Sequence, residues 1–158
     1  MKIITAKMLD ELTIQAGKSR RLRMNYNIHE DLSDPVQRLF IAAEINSYFR
    51  PHHHLQKSEF AIVLRGLLDV LILEQEGTLR ERISLGPETG NIALEIPANT
   101  CHTWIPLAAQ SVFFEVKQGP YDPEASLVFA SWAPEEGSVD VETFQERLRT
   151  ARIGESVV

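Results

Sequence analysis

One cysteine, Cys101, stands among 158 residues, so no internal disulfide can form. That count suits a reducing compartment and equally many exported proteins. There is no basic excess: 16 Lys and Arg against 22 Asp and Glu leave a formal net charge of −6. This argues against a nucleic-acid partner, because polyanions are held by basic surfaces. Long apolar runs are absent too. No stretch approaches the ~20 residues that cross a bilayer. Residues 1–5 soon meet Lys7, Asp10 and Glu11, without an apolar segment of signal length. The expectation is a soluble cytoplasmic protein with no membrane partner. Repeats, low-complexity tracts and linkers are missing as well, and one domain is expected over residues 1–158. A chain of this length buries roughly two thirds of its unfolded surface and needs neither disulfide nor structural metal to fold.

What the chain does contain is a succession of short β signals. Residues 6–16 read as a helix, with Thr5 as cap, Met8, Leu9, Leu12 and Ala16 as its apolar stripe, and Gly17 at its end. Leu22, Met24, Tyr26 and Ile28 then alternate with polar residues, the period of a strand with one apolar face. Residues 37–48 form a second strand. From Glu59 onward the runs 60–64, 67–73, 79–85, 92–96, 102–105 and 111–117 are separated by clusters of Gly, Pro, Asn and charged residues. Such punctuation predicts an all-β sandwich or barrel. After a composition shift at 134–137, Asp140 caps a helix that places Val141, Phe144 and Leu148 on one face.

Four of the five histidines fall in two places, His52-His53-His54 and His102. Residues i and i+2 of a strand share a face, so His52 and His54 project together while His53 points away. Glu59 follows five residues after His54, and a bend between them returns its carboxylate to the same interior. His102, after the turn Pro97-Ala98-Asn99, completes the set from across the barrel. Three imidazoles and a carboxylate suit one divalent first-row ion such as Mn, Fe, Co, Ni or Zn, but not Cu(I) or Ca²⁺. Such an ion polarises a carbonyl, lowers a water pKa or activates O₂, and the ligands alone do not choose among these.

The stretch His52-x-His54-x4-Glu59-x6-Gly66 resembles the first cupin motif, and Pro97-x-Asn99-x2-His102 resembles the second. That resemblance implies a double-stranded β-helix, a jelly-roll barrel spanning about 20–133, with a C-terminal helix at about 140–151. It also implies His52, His54, Glu59 and His102 as the metal ligands, and a homodimer. The departures fall in the turns. Asn46 replaces the glycine that opens the first motif, Gly90 lies one residue further from Pro97 than the pattern asks, Asn99 replaces a turn glycine, and Pro106 replaces the closing asparagine. More narrowly, Gln37-Arg38-Leu39 and the runs 114–121 and 129–137 resemble the WbuC-type cupin metalloproteins, over about 23–137. Members of that family accompany bacterial O-antigen and other surface-polysaccharide gene clusters.

Around the metal set, Asn27, His29, Arg50, Trp104, Lys117 and Tyr121 are candidates for a substrate pocket. Asn25, Asn27 and His29 form a polar face for hydroxyl groups or a solvated edge. Arg50 stands two residues before His52, where it would hold an anionic substrate. Trp104 shares the strand face of His102, as pocket wall or core aromatic. Lys117 and Glu115 alternate with Phe114 and Val116; a charge facing inward there needs a partner or a role. Tyr121 is a turn aromatic or a lid, and Cys101 a small buried hydrophobe. No second acid/base pair stands out in the sequence. Three functions follow: an isomerase or epimerase acting on a small oxygen-rich molecule such as a sugar or sugar nucleotide, an Fe(II) dioxygenase, or a non-catalytic binder.

Overall fold

The computed structural model describes residues 1–122 and 127–158. Helix α1 (Ala6–Lys18) begins where the Thr5 hydroxyl accepts a hydrogen bond from the Met8 N–H. It continues through Gly17, whose φ is not in the left-handed region, and ends at Ser19. Leu12 and Ala16 are buried against the outer face of the first sheet, with Leu9 half-buried beside them.

That sheet holds five antiparallel strands in the order β1 (Arg23–Asn27), β2 (Val36–Ala43), β9 (Ser111–Gln118), β4 (Glu59–Arg65) and β7 (Ala93–Ile96). The second sheet runs β10 (Val128–Phe129), β3 (His52–His53), β8 (Cys101–Pro106), β5 (Leu68–Leu73) and β6 (Leu79–Leu85). The two sheets face each other as a jelly roll, as expected from the strand spacing. The second expected strand stops at Ala43, short of residue 48. A turn closed by the Ser47 N–H on the Glu44 carbonyl breaks the ladder there. No described helix is long and apolar enough to cross a membrane.

Strand periodicity sets which side chains enter the barrel. Phe113 of β9 faces inward with Ala61, Val63, Val70, Ile72 and Trp104, while Val112 and Phe114 face outward beneath α1. β5 and β8 are buried along their whole length because both of their faces are covered. Val70, Ile72 and Trp104 point into the barrel; Leu71, Leu73, Cys101 and Ile105 point to Phe144 and Leu148 of α2 (Val141–Thr150) and to Val157. Asp140 stands at the start of α2, but its side chain makes no capping hydrogen bond. Its carbonyl instead accepts the first helical bond, from the Phe144 N–H.

Candidate metal centre

β3 and β8 are hydrogen-bonded neighbours, and their register sets His52 directly opposite His102, with ring centroids 4.5 Å apart. His54 follows β3, 5.1 Å from the His52 ring and 5.8 Å from that of His102. The loop then turns through Gln56, at φ 58, and delivers Glu59 as the first residue of β4, in the opposite sheet. Asn99, at φ 62, occupies the left-handed turn position before β8, and its N–H donates to the His54 carbonyl at 2.8 Å. Asparagine tolerates that conformation, which explains why the turn survives without glycine. Four ligand atoms, one each from His52, His54, Glu59 and His102, lie within 4.8 Å of one another.

The ring orientations are fixed by the backbone. His52 Nδ1 pairs with the Arg50 carbonyl and His102 Nδ1 with the Thr100 carbonyl, each at 2.9 Å. A carbonyl only accepts, so both Nδ1 atoms carry the proton and both Nε2 atoms keep a lone pair. His102 Nε2 and Glu59 Oε1 are buried without a hydrogen-bond partner among the described residues. The second carboxylate oxygen of Glu59 lies 2.9 Å from His54 Nε2. Burial, joined by the neighbouring imidazole of His102, pushes His52 down to about 3, and burial lowers His102 as well. Burial alone would raise Glu59. The hydrogen bond to His54 and the charge of Lys117 reverse this and hold it below the usual carboxylate range.

The neutral imidazoles of His52 and His102 beside an ionised carboxylate, with orphaned lone pairs on His102 and Glu59, fit a divalent transition metal. Once bound, such an ion supplies Lewis acidity toward substrate oxygen.

Beside the cluster is a cavity of about 140 Å³. Trp104 and Phe113, stacked at 4.5 Å and 12°, form one wall; Phe49 and Phe129 add further aromatic surface. Trp104 is thus both pocket wall and core aromatic. The alternation of β9 carries Glu115 and Lys117 into the cavity and leaves the apolar Phe114 outside, under α1. Glu115 and Lys117 form an ion pair, with Lys117 Nζ 3.9 Å from Glu59 Oε2. Burial disfavours the Lys117 charge, but Glu115 and Glu59 outweigh it and raise its pKa. Burial and the charge of Glu59 raise that of Glu115.

Of the candidate pocket residues, Arg50, Trp104 and Lys117 line the cavity. Asn27, His29 and Tyr121 do not. The Asn27 side chain is exposed and accepts from Asn25; buried His29 accepts the Arg38 N–H through Nδ1 at 3.0 Å. His53 lies in β3 opposite Val128 and is not among the clustered ligands. Arg23, Phe49, Phe113, Phe129 and Glu136 also line the cavity and were missed by the sequence reading. The alternation of charged and apolar residues along β9 offered a signal, but it did not say which face points inward.

The model of a domain of unknown function, DUF6016, matches residues 4–85. No curated protein matches the chain. Among solved structures it is similar to oxalate oxidase in complex with the substrate analogue glycolate (14% identity, TM-score 0.54, 84% of this chain and 68% of that one). It is also similar to the polyketide cyclase RemF from Streptomyces resistomycificus (21%, 0.53, 71% and 75%) and to KdgF from Halomonas sp. (18%, 0.50, 65% and 82%). These neighbours share the cupin fold, and the chain has that fold.

Proposed function

The chain belongs to the DUF6016 family, and from that starting point we propose that it is a metal-dependent cupin enzyme that moves a proton on a small oxygen-rich molecule, as isomerases and epimerases do. The observation that carries this reading is the buried Glu115–Lys117 pair on the cavity wall beside Glu59. Proton transfer needs a group whose pKa is tuned toward neutrality and a partner for the charge that develops on substrate oxygen. Glu115, shifted upward by burial, is the group that takes and returns the proton. Lys117, held as ammonium, lies against that developing charge. Aromatic walls exclude water and orient the substrate. His52, His54, Glu59 and His102 hold the metal, of which Fe, Mn, Ni or Zn each suits the donor set.

The substrate is a sugar or the sugar end of a sugar nucleotide, in surface-polysaccharide metabolism. The resemblance to WbuC-type cupins supports the setting. A cavity of about 140 Å³ supports the size, since it admits the reacting end of such a molecule and not a whole nucleotide.

The test is hydrogen exchange. Protein reconstituted with each ion is incubated in D₂O with a panel of aldoses and ketoses, and deuterium incorporation is followed by NMR. Incorporation should proceed without O₂ and disappear in Glu115→Gln while metal content stays constant. Turnover that stops under anaerobic conditions overturns this reading in favour of an Fe(II) dioxygenase. Ligand-dependent thermal stabilisation without turnover of any kind overturns it in favour of a binding protein.

A further inference from the structure

Among the described residues of the cavity lining, Arg21, Arg23, Arg50 and Lys117 face three carboxylates, Glu59, Glu115 and Glu136. The described lining therefore carries one positive charge in excess before any divalent ion is added. Two of these arginines are already engaged. Arg21 donates to Glu136 through Nε at 2.7 Å, and Arg23 pairs with the same carboxylate and donates to the Tyr48 carbonyl at 2.6 Å. Lys117 is engaged with Glu115.

Arg50 is different. Its side chain is 17% exposed, yet among the described residues its one hydrogen bond runs from Nε to the Ala133 carbonyl at 3.1 Å. Its Nη1 makes a loose ion pair at 3.9 Å with the carboxylate of exposed Glu135. Its guanidinium lies 4.9 Å over the ring of Phe129, and that ring lies 6.2 Å from His52. The fork thus lies over an aromatic ring beside a metal ligand, with Nε in a hydrogen bond and Nη1 loosely paired with Glu135. A planar guanidinium fork matches a carboxylate bidentately. The only carboxylate paired with the fork among the described residues is that of exposed Glu135, and a loose pair at the surface is weak enough for an arriving anion to replace.

We infer that the ligand of this cavity is a small oxygen-rich acid, a sugar acid or a shorter hydroxy acid, bound with one oxygen-bearing end at the metal cluster and a carboxylate at its other end on Arg50. The inference rests on the metal reading above and narrows its substrate class from oxygen-rich to anionic.

The experiment compares two probes that share one metal-chelating group. Malate and 2-hydroxybutyrate share the 2-hydroxycarboxylate; only malate carries a second carboxylate. Each is titrated by calorimetry into Mn-loaded and Zn-loaded protein, wild type and Arg50→Gln, with the metal content of every sample measured first. Wild type should bind malate about tenfold tighter or more, the scale of a charge-assisted pair. In Arg50→Gln that preference should fall to near unity while 2-hydroxybutyrate binds as before. A wild-type preference near unity, which needs no variant to read, overturns the inference while the metal reading stands. So does a preference that Arg50→Gln leaves unchanged. Protein that takes up no metal overturns the metal reading, and this inference with it.

Discussion

His102 Nε2 and Glu59 Oε1 are buried with no hydrogen-bond partner among the described residues, an arrangement a folded protein keeps only where something else satisfies them. His102→Ala and Glu59→Ala should each reduce the metal content of purified protein to near zero, and His53→Ala should leave it unchanged. Elemental analysis by mass spectrometry reads all three. In metal-free protein, His52 has a folded-state pKa of about 3 against an ordinary value near 6.5, so the unfolded chain takes the proton first. Stability is then fully present above about pH 6.5 and declines as pH falls from there toward 3. Melting temperatures of the metal-free chain at pH 7.5 and pH 5 should show this, with the lower value at pH 5. Burial raises the Cys101 thiol to about 11, so at pH 8 it should be alkylated by iodoacetamide far more slowly than free cysteine. The ligand set was legible at this scale because it is written in short spacings: an i, i+2 pair, a nearby carboxylate, a turn before a histidine. Glu115 and Arg23 were not, because their inward placement depends on what covers the other face of their strands.

At the scale of elements, the turns decide more than the strands do. Gly66, between β4 and β5, has φ 76, and a Cβ there would approach Ser111 Cα to 2.8 Å. Gly66→Ala is therefore expected to destabilise the protein by about 1–3 kcal/mol in denaturant titration, through a strained backbone joined to a backbone clash. The cluster at 86–90 and the left-handed Asn99 stand where the turn residues of the sequence put them. Strand ends were less legible. β2 stops at Ala43 although residues 44–48 include Ile45 and Tyr48, because Tyr48 packs on Phe144 of α2 and hydrogen-bonds through its hydroxyl to the Pro134 carbonyl at 2.9 Å. Tertiary contacts with residues distant in the sequence overrule local β propensity there.

At the scale of the whole molecule, each sheet has its own cover. α1 shields the outer face of one sheet. α2 and the C-terminal segment shield the other, where Leu71, Leu73, Leu79 and Ile105 meet Phe144, Leu148 and Val157. Glu155 accepts from the Leu79 N–H at 2.8 Å, and the Val157 N–H donates to the Gly77 carbonyl at 3.0 Å. Deleting residues 152–158 should lower the melting temperature by several degrees while the far-ultraviolet β signal persists, since the deletion uncovers the back of β5 and β6 and leaves the strands themselves intact. No periodicity announces that docking; the tail is too short and too polar to read as core.

The ligands come from both halves of the sandwich: His52 and His102 sit in one sheet, His54 follows the same strand edge, and Glu59 opens a strand of the other. An ion held there acts as a rivet, and prying the sheets apart means expelling it. At a free ion concentration a hundredfold above the dissociation constant, that coupling adds about 2.7 kcal/mol to the cost of unfolding. The survival of the chain against proteases would then rise and fall with the metal available to it, making its abundance a gauge of supply.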